Sequence, residues 1–248
     1  MLTEERYNLI LERLQEQGIV KLQELVDWIG VSESTIRRDL GDLEGKRLLK
    51  RIHGGASLPG EKSKEQGMEE KTFKNVQEKA LIARLAAGQL KDGECIYLDA
   101  GTTTLAMISF IEAKDITVVT NGLSHVEALV SKQIRSYLLG GMMKTHTKAV
   151  IGSIALQNIE NFRFDKCFLG TNGVDPSMGY TTPDPEEAII KRRAHELSGQ
   201  TFVLADASKF GEVTFAKLFE LEEAVLITDR MPEQWRQPVT QKTNIIEG

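Results

Sequence analysis

Ser32-Glu33-Ser34-Thr35-Ile36-Arg37-Arg38-Asp39-Leu40 begins with a hydroxyl side chain suited to cap a helix and continues with apolar residues at helical spacing. Ile36, Leu40 and Leu43 form one stripe, while Ser34, Thr35, Arg37 and Arg38 project from other faces. Upstream, Tyr7, Ile10, Leu11 and Leu14 recur at three- and four-residue steps and predict a helix over Glu4 to Glu16, capped by Thr3 and ending at Gly18. Leu22, Leu25, Val26 and Ile29 predict a second helix over Lys21 to Ile29, closed by Gly30. Two helices joined by a tight glycine turn, the second opening with hydroxyl and guanidinium groups, suit insertion into a DNA major groove. Arginine there can hold guanine bidentately, and serine or threonine can contact bases or phosphates.

Downstream, Lys46-Arg47-Leu48-Leu49-Lys50-Arg51-Ile52-His53-Gly54-Gly55-Ala56 alternates and then turns on a glycine pair, the pattern of a small hairpin wing. Lys50, Arg51 and His53 are placed against the DNA backbone. Between Arg37 and Arg51 six bases face three acids, Asp39, Asp42 and Glu44. The whole chain carries a net charge of -5, so nonspecific coating of nucleic acid is excluded and any DNA contact must be local. Asp39 is read as a structural partner for a neighbouring cation. The plainer alternative, a structural three-helix bundle with solvated arginines, is weakened by the basic hairpin.

The 248 residues, 41% of them apolar, suffice for a substantial core. Cys95 and Cys167 are too few for a disulfide framework and are expected to be buried thiols. The start of the chain lacks an export signal, and no apolar run approaches the roughly 20 residues of a membrane span, so a cytoplasmic protein without membrane partners is expected. Residues 1–57 are expected to form the winged domain, 58–75 a polar, breaker-rich linker, and 76–248 a second domain.

In that second domain short apolar strands alternate with helices. Glu94 to Leu98, Thr117 to Thr120, Ser136 to Leu139, Lys166 to Leu169, Thr201 to Ala205 and Ala224 to Ile227 are candidate buried strands. The alternation predicts an α/β fold with a mainly parallel sheet covered on both faces and ligands beyond the strand C-termini. The first such end, Asp99-Ala100-Gly101-Thr102-Thr103-Thr104, precedes a helix and offers amides, hydroxyls and a helix dipole to an anion. No Walker lysine follows, so nucleotide hydrolysis is not implied. Thr120-Asn121-Gly122, Gly140-Gly141, Gly170-Thr171-Asn172-Gly173 and Asp206-Ala207-Ser208-Lys209 repeat the arrangement. Lys209 is assigned to a phosphate, and Asp99, Asn172 and Glu187 to sugar hydroxyls. His125, His146 and His195 lack metal-ligand spacing and are read as structural or surface residues; no cofactor or metal is expected. Glu187 and Lys191, one turn apart, read as a helix-surface ion pair.

The Ser32–Leu40 run followed by Leu48-Leu49-Lys50-Arg51-Ile52-His53-Gly54-Gly55-Ala56 resembles the DeoR-type repressors of bacterial sugar operons. That resemblance implies DNA contact by Ser32, Ser34, Thr35, Arg37 and Arg38, double-stranded operator DNA as a partner, and a homo-oligomer, dimer or tetramer. The second domain is similar to the DeoR-type effector domain, itself similar in fold to ribose-phosphate isomerases, which implies a phosphorylated sugar as effector. Gly179-Tyr180-Thr181-Thr182-Pro183-Asp184-Pro185-Glu186-Glu187 looks like fructose operon repressors, which makes fructose 1-phosphate the leading effector. An enzyme converting sugar phosphates, with an accessory DNA-binding head, is the rival. It has the anion loop in its favour and the lack of an evident nucleophile or acid–base pair against it.

Overall fold

The computed structural model describes residues 3–17, 19–46, 48–52, 54–57 and 67–248. Two compact units divide between Lys64 and Glu65. The first holds α1 (Thr3–Gln17), β1 (Ile19–Lys21), α2 (Leu22–Ile29), α3 (Glu33–Gly45), β2 (Lys50–Ile52) and β3 (Gly55–Ser57). Helical periodicity places all three helices; it does not mark β1, which turns the expected hairpin into an antiparallel sheet of order β1-β3-β2. A Cβ on Gly55 would stand 2.0 Å from the Val20 carbonyl oxygen, so β3 can lie on β1 only through a glycine. Ile10, Leu14, Val20, Leu25, Ile36, Leu40, Leu43 and Leu49 pack together out of solvent. At roughly 1.5–3 kcal/mol per buried aliphatic side chain, that cluster is what holds so small a unit closed.

The second unit begins with α4 (Met68–Phe73) and α5 (Val76–Ala87). Strand β4 (Cys95–Leu98), α6 (Thr102–Ser109), β5 (Thr117–Thr120), α7 (His125–Ser131) and β6 (Arg135–Leu138) follow. After a hairpin of β7 (Met142–Lys144) and β8 (Ala149–Ile151) come α8 (Ser153–Ile159) and β9 (Phe164–Gly170). The chain then runs through β10 (Gly173–Asp175), β11 (Gly179–Thr182), α9 (Pro185–Glu196), β12 (Ser198–Leu204) and β13 (Ala216–Lys217). It closes with β14 (Val225–Thr228), α10 (Glu233–Thr240) and β15 (Ile245–Glu247).

Seven of these strands form one sheet of order β15-β14-β12-β9-β4-β5-β6, every pair parallel. Successive residues point to opposite faces. Ile96, Leu98, Val118, Phe168, Phe202 and Leu204 pack under α5, α6 and α7. Tyr97, Val119, Cys167, Leu169 and Val203 pack under α8, α9 and α10. Both faces are therefore apolar, the condition for a buried parallel sheet. A second antiparallel sheet, β10-β11-β13, joins the α9 side of the unit.

Four expectations need correction. Residues 136–138, expected to be a buried strand, belong to the edge strand β6, all four of whose residues are exposed; only Leu139, just past it, is buried. Cys95 is exposed because it opens β4 at the sheet rim, whereas Cys167 in central β9 is buried. Of the expected linker, residues 58–66 lie outside the described residues, and 68–73 form α4, whose Met68 N–H donates to the His146 carbonyl at 3.0 Å. Glu187 and Lys191 are both buried rather than on a helix surface.

Candidate functional site

On α3 the Ser32 side chain caps the helix, accepting from the Thr35 N–H at 3.3 Å. Its Oγ also lies 2.9 Å from Ser34 Oγ and 2.8 Å from Thr35 Oγ1, so three hydroxyls cluster at the helix start. Ser34, Arg37 and Arg38 are exposed. Arg37 donates through Nε to Glu33 Oε1 at 2.8 Å, an exposed pair that DNA can displace at little cost. Asp39 is buried and receives the Arg6 guanidinium at 2.7 and 2.9 Å, which ties α3 to α1 and leaves the outward face to the hydroxyls and arginines. Arg51 is exposed on β2, where its N–H donates to Glu44 Oε1 at 2.8 Å and pins the wing to the end of α3. Lys50 is also on β2. His53 lies outside the described residues.

The second candidate site is a cavity of about 330 Å³ at the C-terminal ends of β4, β9 and β12. From β4 the chain continues to β5 and β6 on one side and returns at β9 on the other, so the cavity stands where strand order reverses. Asp99, Gly101, Thr102, Thr103, Thr104, Asn172, Glu187 and Lys209 all line it. Gly141 and Gly173 do not. A Cβ on Gly141 would meet the Ile151 carbonyl oxygen at 2.8 Å, and one on Gly173 would meet that of Glu212 at 2.2 Å; both glycines serve close backbone packing.

The anion loop is braced from within. Thr104 is buried, and its Oγ1 donates to the Asp99 carbonyl at 2.5 Å and accepts from the Gly101 N–H at 3.1 Å. Its hydroxyl therefore shapes the loop, while Thr102 and Thr103 at the start of α6 line the cavity. Asn121 reinforces the loop, accepting from the Ala100 N–H at 2.9 Å and donating to the Val150 carbonyl at 3.1 Å. Behind it His125 Nε2 lies 3.3 Å from Thr104 Oγ1. Burial lowers the His125 pKa to about 4, so the ring is neutral near pH 7.

The cavity's charges are paired across long stretches of chain. The Lys191 ammonium binds the Asp99 carboxylate and the Gly170 carbonyl, and Asp99 accepts the Gly170 N–H at 3.1 Å. Glu187 accepts from Thr147 Oγ1 at 2.7 Å and from Lys144 Nζ at 3.0 Å. Burial alone would raise its pKa, but the charge of Lys191, the Thr147 hydroxyl and Lys144 outweigh it and hold the carboxyl below its ordinary range. Asp206 caps the turn that presents Lys209, accepting from the Ser208 N–H at 3.0 Å.

Sequence reasoning missed Lys191 as a lining residue, together with Lys71, Lys74 and Lys79. Lys79 is buried and donates to the Lys71 and Lys74 carbonyls, closing the end of α4 onto α5. Burial lowers its pKa, against the opposing charge of Asp206. The missing signal was tertiary: Lys71 and Lys74 fall in residues 58–75, which read as linker, and helical spacing alone does not show that Lys79 and Lys191 turn towards the cavity. Acids and ammonium groups thus surround a helix N-terminus in the cavity lining, a chemistry suited to a polar, anionic ligand.

Two family models match the chain: a DeoR-like helix-turn-helix domain over residues 6–62 and a DeoR C terminal sensor domain over residues 74–230. The chain is 50% identical to an uncharacterized HTH-type transcriptional regulator FruR of Bacillus subtilis, over 92% of this chain and 91% of that one. It is 35% identical to the HTH-type transcriptional repressor GlcR of the same organism, over 94% and 91%. Identity to the lactose phosphotransferase system repressor of Staphylococcus epidermidis is 34%, over 98% of both chains. Among solved structures it is similar to ribose 5 phosphate isomerase A from Neisseria gonorrhoeae, with 15% identity over 53% of this chain and 52% of that one and a TM-score of 0.41.

Proposed function

Since this chain belongs to the DeoR family of helix-turn-helix transcriptional regulators, we propose that it represses a sugar-utilisation operon and releases its operator when a phosphorylated sugar fills the cavity. One observation carries this reading. The start of α6 and Lys209 meet buried Asp99 and Glu187 in a single cavity, which pairs an anion cradle with hydroxyl-binding groups. The phosphate sits on the Thr102 and Thr103 amides and hydroxyls with the Lys209 ammonium beside it. Asn172 and Glu187 take sugar hydroxyls, and Asp99, held by Lys191, fixes the floor between β4 and β9.

Operator recognition is assigned to Ser32, Ser34, Thr35, Arg37 and Arg38 for base edges and nearby phosphates. Lys50, Arg51 and His53 of the wing are assigned to the backbone. Control requires that the sugar phosphate bind the operator-releasing state more tightly, by about 1–3 kcal/mol in typical allostery. Helix α4 is placed to carry that preference: it packs on α6, and Lys79 fastens its last carbonyls.

Fructose 1-phosphate is the first effector to try, on the resemblance of Gly179 to Glu187 to fructose operon repressors. That stretch delivers Glu187 to the cavity from the start of α9. The relatives are not named for one common sugar, so the test is a panel. Operator complexes titrated with fructose 1-phosphate and other hexose and pentose phosphates should dissociate with one of them at far lower concentration than with the rest. Indifference to all of them would remove effector control. The rival reading as a sugar-phosphate enzyme loses ground because the matched relatives are named regulators and repressors over nearly their whole length.

A further inference from the structure

The charged groups of the cavity are sorted into two clusters. On the α4 side, Lys71, Lys74, Lys79 and Lys209 stand with one acid, Asp206. Lys79 donates to the Lys71 and Lys74 carbonyls, and the charges of Asp206, Lys209 and Lys71 act on it. The other cluster is acidic. Asp99 holds Lys191, while Glu187 and Asp184 share Lys144, so three carboxylates meet two ammonium groups. The charges that act most on Glu187 are those of Lys191 and Lys144. Among the described residues, one end of the cavity is therefore cationic and the other anionic.

At the anionic end each buried carboxylate uses one oxygen for the protein. Asp99 accepts from the Lys191 ammonium and the Gly170 N–H on Oδ2, and Glu187 accepts from Thr147 and Lys144 on Oε1. Asp99 Oδ1 and Glu187 Oε2 accept no hydrogen bond from the described residues, yet neither is among the unpartnered polar atoms sealed from solvent. Both residues are buried and line the cavity, so these two oxygens open into it. Such oxygens only accept hydrogen bonds.

We propose that Asp99 and Glu187 make the cavity a charge filter, admitting a phosphate ester whose far end offers a pair of hydroxyls and rejecting one that carries a second anion there. This rests on the sugar-phosphate reading above and narrows it to uncharged sugars and polyols bearing one phosphate, as against sugar bisphosphates and phosphorylated sugar acids. Hydroxyls donate to Oδ1 and Oε2 and so satisfy two acceptors that are costly to leave bare. A carboxylate in their place has no proton to give, and it sets like charge against like charge where little water reaches. The two ammonium groups at that end are already engaged by carboxylates. Discrimination then comes from what the wrong ligand leaves unpaired or repelled.

The test is isothermal titration calorimetry on the full-length protein without DNA, with ligands matched in pairs: fructose 1-phosphate against fructose 1,6-bisphosphate, and glucose 6-phosphate against 6-phosphogluconate. In each pair that binds, the singly anionic member should bind more tightly by about tenfold or more. Glu187→Gln keeps an oxygen for Thr147 and Lys144 and offers the ligand an amide N–H instead of a charge. It should shrink that ratio about tenfold, chiefly by tightening the doubly anionic member, whereas a merely structural role would weaken both members alike. Circular dichroism checks that the variant is folded; if it is not, the wild-type ratios decide alone. A bisphosphate or sugar-acid phosphate that binds as tightly as its partner, or an unchanged ratio in folded Glu187→Gln, overturns the filter and leaves the effector reading standing. Binding by no member of either pair overturns both.

Discussion

The proposed DNA-reading surface and the proposed effector cavity are built on opposite electrostatic plans. On α3 the cations are exposed and contiguous, and Arg37 finds its partner four residues away at Glu33. In the cavity Asp99, Glu187 and Lys191 are buried, and Asp99 meets Lys191 from 92 residues along the chain. An exposed pair is weak, so Arg37 can exchange its carboxylate for DNA without disturbing the fold. A buried pair is costly to break, because the survivor is left without solvent or a counter-charge. On the proposed reading, recognition of a polymer from outside uses loosely held charge, and recognition of a small anion inside uses charge that also holds the structure together.

The sharpest way to break this contrast is Lys191→Ala. It should destabilise the second unit by about 3–5 kcal/mol, as expected when one partner of a buried pair is removed, measured by urea unfolding. Any stabilisation by sugar phosphate should disappear with it. A loss under about 1 kcal/mol would mean the pair is solvated and the two regions are alike.

Acid titration comes next. His125 is depressed from 6.5 to about 4, so the folded state keeps it neutral while the unfolded chain protonates it. Its contribution is complete above pH 6.5 and is lost as pH falls towards 4, by about 3 kcal/mol in all. The Glu187 carboxyl, held below 4.5, adds a further loss beginning near pH 4.5. His125→Gln should flatten the first part of the stability curve and Glu187→Gln the second; unchanged slopes would show these groups to be solvated.

Smaller effects belong to the reading surface. Arg37→Ala should weaken operator binding by about 1–3 kcal/mol with relaxed base preference, while changing stability by less than about 0.5 kcal/mol. Equal operator affinity in gel-shift titrations would remove Arg37 from base readout. Arg51→Ala should weaken all sequences alike and lower the salt slope of binding by about 1.

The same contrast explains how much of the molecule the sequence disclosed. Helices α1 to α3 follow from local periodicity and caps, and the anion loop from its glycine and hydroxyls after an apolar strand. Five central strands, β4, β5, β9, β12 and β14, were legible because their residues are apolar on both faces. What escaped were features set by distant neighbours. Strand β1 exists because Gly55 admits β3 against Val20. Lys79 is a cavity residue because α4 folds back on α6. Gly141 and Gly173 shared a strand-end position with true lining residues yet serve packing, a difference no spacing rule detects. Lys191 looked like a surface partner of Glu187, since helical spacing alone does not say which face meets the sheet.

Asn121 has a mechanical consequence. With one side chain it grips the Ala100 amide and the Val150 carbonyl, and Val150 belongs to the same β8 hairpin as Lys144, which binds Glu187. The floor of the cavity is thus cross-tied to its far rim and has little slack to yield. The same hairpin holds α4 as well, through the Met68 N–H on the His146 carbonyl, so the first helix beyond the point where the two units divide is tied into that frame.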